Sequence, residues 1–96
     1  MTGGTSDFGP AYKIEISPAA ARQLRKLDGI VQRRVLTVID RLAVEPRPAG
    51  VKALVGHPNL LRLRVGDYRI VYTVHDGQLV VVVIAAAHRR EICRDL

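Results

Sequence analysis

With 96 residues, a formal charge of +6 and 48% hydrophobic against 25% charged residues, the chain has material for one hydrophobic core and none for a second. Its longest apolar run, Leu79 to Ala87, is under half of the roughly 20 residues a bilayer helix needs, so no membrane span is expected. The Gly-, Thr- and Ser-rich start, Met1 to Pro10, has neither a basic region nor an apolar run, which argues against a signal or transit peptide and for a flexible tail (1–10) before a single domain (11–96).

Tyr12, Ile14 and Ile16 alternate with Lys13 and Glu15, the period-two pattern of a short strand. Ser17-Pro18 supplies a helix cap and a first-turn proline, and Ala20, Leu24 and Leu27 recur at helical spacing up to about Leu27. Asp28-Gly29 interrupts this helix. Val31, Val35, Val38 and Leu42 form the stripe of a second, longer one, which must stop at Glu45-Pro46-Arg47-Pro48-Ala49-Gly50. The short connection predicts an antiparallel helical hairpin laid on a sheet. Val51 to Val55 is a weak strand candidate. Leu60 to Val65, Tyr68 to Val74 and Leu79 to Ala87 then read as a meander joined by two-residue turns at Gly66-Asp67 and Asp76-Gly77. The segment Arg90 to Leu96 reads as a short helix or a frayed end. The fold class is α+β, with an N-terminal strand and an antiparallel helical hairpin packed on an antiparallel β-sheet.

Placing Gly66-Asp67 at the centre of a turn sets Arg64 opposite Arg69 and Arg62 opposite Val71. Leu61, Leu63, Ile70 and Tyr72 then face the helices, together with Tyr68, while Arg62, Arg64 and Arg69 gather on the other side. Like charges directly across a ladder are destabilising, and a bound anion would relieve the conflict. Continued regular pairing puts Val80, Val82, Ile84 and Ala86 on the Arg69 side, leading to His88, Arg89 and Arg90. Twelve of the 15 basic residues are arginine, whose planar donor fork suits phosphate oxygens. Histidine ordinarily titrates near neutrality, so His88 is a candidate proton acceptor. The charge pattern alone fits equally well with solvated arginines, or with arginines paired to Asp67, Glu91 and Asp95. His57 and His75 fall in expected loops. The single cysteine, Cys93, cannot form an internal disulfide, in keeping with a reducing compartment, and the scattered histidines give no zinc-ligand spacing. No metal or cofactor is expected.

Ser17-Pro18-Ala19-Ala20, Lys26-Leu27, the run Arg62-Leu63-Arg64-Val65-Gly66-Asp67-Tyr68-Arg69-Ile70-Val71-Tyr72, and His88-Arg89-Arg90-Glu91 together resemble the RelE/ParE toxin superfamily, from about Tyr12 to Leu96. The resemblance implies a cytoplasmic toxin of a type II toxin–antitoxin system, neutralised by a cognate, RelB-like antitoxin and reaching operator DNA only through it. In the RelE branch it implies a metal-independent endoribonuclease that cuts messenger RNA on the ribosome, the adjacent 2′-hydroxyl attacking the phosphate. Arg62, Arg69 and Arg89 then occupy catalytic positions, with His88 beside them. Lys52, Arg64 and Arg90 are further RNA contacts, and Cys93 is a substitute acid or base where many relatives carry tyrosine. Leu60 stands where some RelE members have a lysine, and Asp95 lies near the place of another family tyrosine. The ParE branch, which poisons DNA gyrase, is the main alternative. A catalytically weak toxin acting mainly in antitoxin-bound autoregulation is another.

Overall fold

The computed structural model describes residues 11–54 and 56–88. The expected tail at 1–10 and the segment Arg90 to Leu96, expected as a short helix or a frayed end, lie outside them, as do Arg89 and Cys93.

Strand β1 (Lys13–Ile16) leads into helices α1 (Pro18–Arg25) and α2 (Gly29–Leu42), followed by β2 (Lys52–Leu54), β3 (His57–Val65), β4 (Tyr68–His75) and β5 (Val80–His88). The two helices start where the sequence offers caps. Ser17 Oγ accepts from the Ala20 N–H at 3.1 Å with Pro18 in the first turn, and Asp28 Oδ2 accepts from the Ile30 N–H at 3.4 Å. The first helix ends at Arg25 with Lys26 as its C-cap, two residues short of the expected Leu27, and Asp28 opens α2, which begins at Gly29, two residues before its first apolar stripe residue.

The sheet order is β1-β5-β4-β3-β2. Strands β2 to β5 are antiparallel, as expected, but β1 joins the edge of β5 in parallel, with Ile14 opposite Val81. The long route from β1 through the helical hairpin and the meander allows this parallel pairing, which a tight turn could not. Helices cover one face of the sheet. Ala20, Leu24, Val35, Ile39 and Leu42 pack on Leu63, Val65, Ile70, Tyr72, Val81, Val83 and Ala86, all buried. Tyr72 lies at the bottom, and its hydroxyl donates to the Pro46 carbonyl at 2.6 Å, tying the proline loop to the core. Burial pushes the Tyr72 hydroxyl up to about 12, an effect that nearby Arg47 partly offsets.

The Gly66-Asp67 turn is as expected. Val65 pairs with Tyr68, and of the two central residues only Gly66 is left-handed (φ 61°), the pattern of a type II′ hairpin. The other expected two-residue turn is longer. His75 pairs with Val80, so Asp76 to Leu79 form a four-residue loop, in which Leu79, not Gly77, takes the left-handed conformation (φ 55°). Asp76 is held there by Arg47 (3.0 Å) and by the Tyr12 hydroxyl (2.7 Å), and these two partners hold its carboxyl down at about 2.

Pairing between β4 and β5 is interrupted. Val71 faces Ala85 but Tyr72 faces Val83, which leaves Ile84 as an extra residue in β5. This β-bulge is anchored by α1: Ser17 Oγ donates to the Ile84 carbonyl at 2.9 Å, and Gln23 Oε1 accepts from the Ala86 N–H at 2.8 Å. A one-residue insertion exchanges the two faces of every residue beyond it. Ala86 accordingly packs under the helices instead of beside Arg69, whose cross-strand neighbour is Ala87.

Candidate functional site

The face of the sheet away from the helices carries a small apolar floor. Val71 and Ala87 are buried there, with Leu54, Leu60 and Ala85 packed against them. Around this floor the hairpin and the edge strand set their cations. Arg64 and Arg69 are directly opposed, Arg62 is opposed to Val71, and Lys52 of β2 is opposed to Arg62. Alternation along β3 puts Arg62 and Arg64 on the same face, two residues and so about 7 Å apart.

Lys52, Arg62, Arg64 and Arg69, with Gly50, line one pocket of about 170 Å³. That is several times the roughly 30 Å³ of a water molecule, enough for a tetrahedral oxyanion. Arg62 and Arg69 are half-buried, whereas Arg64 and Lys52 are exposed. Arg64 is tethered by a bond from its Nε to the Gly66 carbonyl (3.0 Å), which leaves its terminal nitrogens to other partners. Among the described residues, Lys52, Arg62 and Arg64 make no ion pair. Of the alternative partners, Asp67 pairs with neither Arg62 nor Arg64, and Glu91 and Asp95 lie outside the described residues. Gly50 was not singled out in the sequence. Its left-handed φ of 90° turns the chain into β2, and that conformation is the signal that marks it.

His88 is not part of this constellation. It pairs with Tyr68, the two rings meeting edge to face with centroids 5.5 Å apart, and both line a separate cleft of about 300 Å³ beside Gln23, Lys26 and Leu27 of the helix layer. The Ile84 bulge is the reason. With regular pairing through Val80–His88, His88 would share the face of Arg69; with one residue inserted it points to the helices. Of the sequence-derived site residues, Arg62, Arg69, Arg64 and Lys52 come together, and His88 stands across the sheet from them. Arg89, Arg90 and Cys93 lie outside the described residues.

A cleft of four cations can bind an oxyanion through charge-assisted hydrogen bonds, and can bind it more tightly as its charge grows. Arginine geometry is suited to two adjacent oxygens of one phosphate.

Residues 14–93 match the family described as ParE toxin of type II toxin–antitoxin system. Three solved structures are similar over nearly the whole of their chains. The toxin–antitoxin complex RelBE2 from Mycobacterium tuberculosis has 26% identity, a TM-score of 0.74, and coverage of 84% of this chain and 94% of the other. The archaeal RelE–RelB complex from Pyrococcus horikoshii OT3 has 31% identity, a TM-score of 0.73, and coverage of 82% and 96%. The intact E. coli RelBE complex has 29% identity, a TM-score of 0.72, and coverage of 81% and 96%. No curated protein sequence matches the chain.

Proposed function

The chain belongs to the RelE/ParE toxin family of type II toxin–antitoxin systems, and from that premise we propose that it is an endoribonuclease that cuts messenger RNA on the ribosome and is neutralised by a RelB-like antitoxin. The observation that carries this reading is the pocket of Lys52, Arg62, Arg64 and Arg69, three of whose cations make no ion pair among the described residues. The similar solved complexes are of RelE toxins with RelB antitoxins, which supports an antitoxin partner of that kind here.

In the reaction the ribose 2′-oxygen attacks the neighbouring phosphorus. A bond forms to the 2′-oxygen and the bond to the 5′-oxygen breaks, leaving a 2′,3′-cyclic phosphate and a 5′-hydroxyl. Negative charge accumulates on the non-bridging oxygens. Arg62 and Arg69 are half-buried on facing strands and line the same pocket, which supports their holding those oxygens from two sides, with Arg64 and Lys52 adding charge at the rim. Stabilisation that is stronger in the transition state than in the ground state is what accelerates the step. One proton must leave the 2′-hydroxyl and one must reach the 5′-oxygen. His88 lies on the opposite face, which leaves these transfers to the C-terminal segment with Cys93, or to solvent.

Purified ribosomes programmed with a defined message test the proposal. Wild type should release a fragment with a cyclic phosphate end, and Arg62→Ala or Arg69→Ala should each lower the rate by about 10²- to 10³-fold, the loss typical of one transition-state donor. Absence of cleavage by the wild type would overturn it. A second reading is favoured by one observation, that His88 faces away from the arginines. An arginine face with no proton-transfer partner among the described residues suits a toxin that docks on a protein, as ParE-type gyrase inhibitors do. Inhibition of purified gyrase without RNA cleavage would select it.

A further inference from the structure

The β3–β4 turn carries a cationic contact outside the cleft. Gly66 has no side chain, and Arg34 of α2 reaches over it: its Nη1 stands 3.8 Å from the point a Cβ on Gly66 would occupy. The carbonyl of the same glycine accepts the bond from Arg64 Nε at 3.0 Å. Two guanidinium groups, one from the helix layer and one from the sheet, are thus held at a single turn. Neither makes an ion pair among the described residues, and Asp67, the carboxylate of the turn, pairs with neither.

This places Arg34 at the end of a row. Lys52 stands opposite Arg62 at the β2 edge, Arg64 stands opposite Arg69, and Gly66 with Arg34 above it follows. From Arg62 to Gly66 is four strand residues, about 13 Å. A polynucleotide repeats its charge at every residue, so a strand with one phosphate in the cleft meets cations continuously in this direction. The row leaves the sheet face at the turn and passes onto the helix layer.

We propose that Arg34 binds a backbone phosphate of the same RNA strand, flanking the phosphate held in the cleft, and so fixes the direction in which single-stranded RNA leaves the site. Arg34 is a positioning residue in this arrangement, and the inference rests on the nuclease reading. Arg34 differs in this from Arg41, which lies seven residues, or about 10 Å, further along the same helix and away from the turn.

The test is equilibrium binding of a 2′-O-methyl RNA of about twelve nucleotides, a length within the usual span of single-strand sites, measured across a salt series for the full chain. Each phosphate contact contributes about 0.7 to the slope of log affinity against log salt for a single strand. Arg34→Ala should lower the slope by that amount and weaken binding several-fold, Arg34→Lys should restore the slope, and Arg41→Ala should leave it unchanged. Circular dichroism establishes that each variant is folded. An unchanged slope for Arg34→Ala, or an equal loss for Arg41→Ala, would overturn the inference. Arg69→Ala in the same series separates the two claims. If Arg69→Ala loses affinity and Arg34→Ala does not, only the Arg34 contact fails; if neither loses affinity, the RNA-binding reading of the cleft fails with it.

Discussion

Strand pairing sets Arg64 directly opposite Arg69, and the size of the repulsion between the two charges can be worked out. Directly opposed side chains have Cβ atoms about 5 Å apart, so guanidinium groups that splay away from each other stand at about 7 Å. Two unit charges at that distance repel by about 0.6 kcal/mol at the dielectric constant of water, and by about twice that at half the value. In about 0.01 M salt, with a Debye length near 30 Å, most of this remains; in about 1 M salt, with a Debye length near 3 Å, little does. Arg64→Gln removes the repulsion and also removes the bond to the Gly66 carbonyl, but the loss of that bond is insensitive to salt. The difference in unfolding free energy between variant and wild type should therefore move by about 0.5 kcal/mol in favour of wild type between low and high salt. For a domain of this size that corresponds to about 2–4 °C in Tm. Urea unfolding followed by circular dichroism at the two salt concentrations measures it. A difference that is the same at both would refute the idea that the facing arginines are in electrostatic conflict, and with it the argument that an anion relieves them.

Other consequences follow from the bulge and from the core tyrosine. Replacing Gln23 by Leu leaves the buried Ala86 N–H without its acceptor, which should cost about 1–3 kcal/mol in urea unfolding; a loss below about 0.5 kcal/mol would mean that water replaces the amide. Tyr72 is an acid whose folded pKa, about 12, lies above its unfolded value near 10. Its contribution to stability is complete below pH 10 and is lost as pH rises from 10 through about 12. Tyr72→Phe should therefore be less stable at neutral pH by about 1 kcal/mol, the typical net worth of one hydrogen bond, and should lose stability less steeply above pH 10, which thermal melts across the alkaline range would show.

Much of the architecture was legible because its signals are local. Ser17-Pro18 and Asp28 mark helix starts through side-chain chemistry, and Gly66 marks a turn that needs a left-handed residue. The facing of Arg64 and Arg69 followed from that turn by counting. Counting failed in β5. Val80 to Ala87 is uniformly apolar, so it contains no alternation from which a bulge could be read, and the extra residue Ile84 is set by Ser17 and Gln23, more than 60 residues away in sequence. That single insertion moved Ala86 to the core and His88 to the helix side. The parallel attachment of β1 was likewise not local information, because it depends on which edge of the finished meander remains open. In the site, the gathering of Arg62, Arg64 and Arg69 on one face followed from their position beside a turn, whereas the expected placing of His88 on that face depended on register across the bulge and is not what the strand pairing gives.

Whether this arginine face cuts RNA can be read from the mapping of messenger RNA ends after the chain is produced without an antitoxin, wild type against Arg69→Ala. The prediction is that wild type generates new ends at fixed positions within codons of translated messages, and that these ends disappear with Arg69→Ala while the variant still accumulates as folded protein. Growth arrest by wild type with no new RNA ends, or cleavage that persists undiminished in Arg69→Ala, would contradict it.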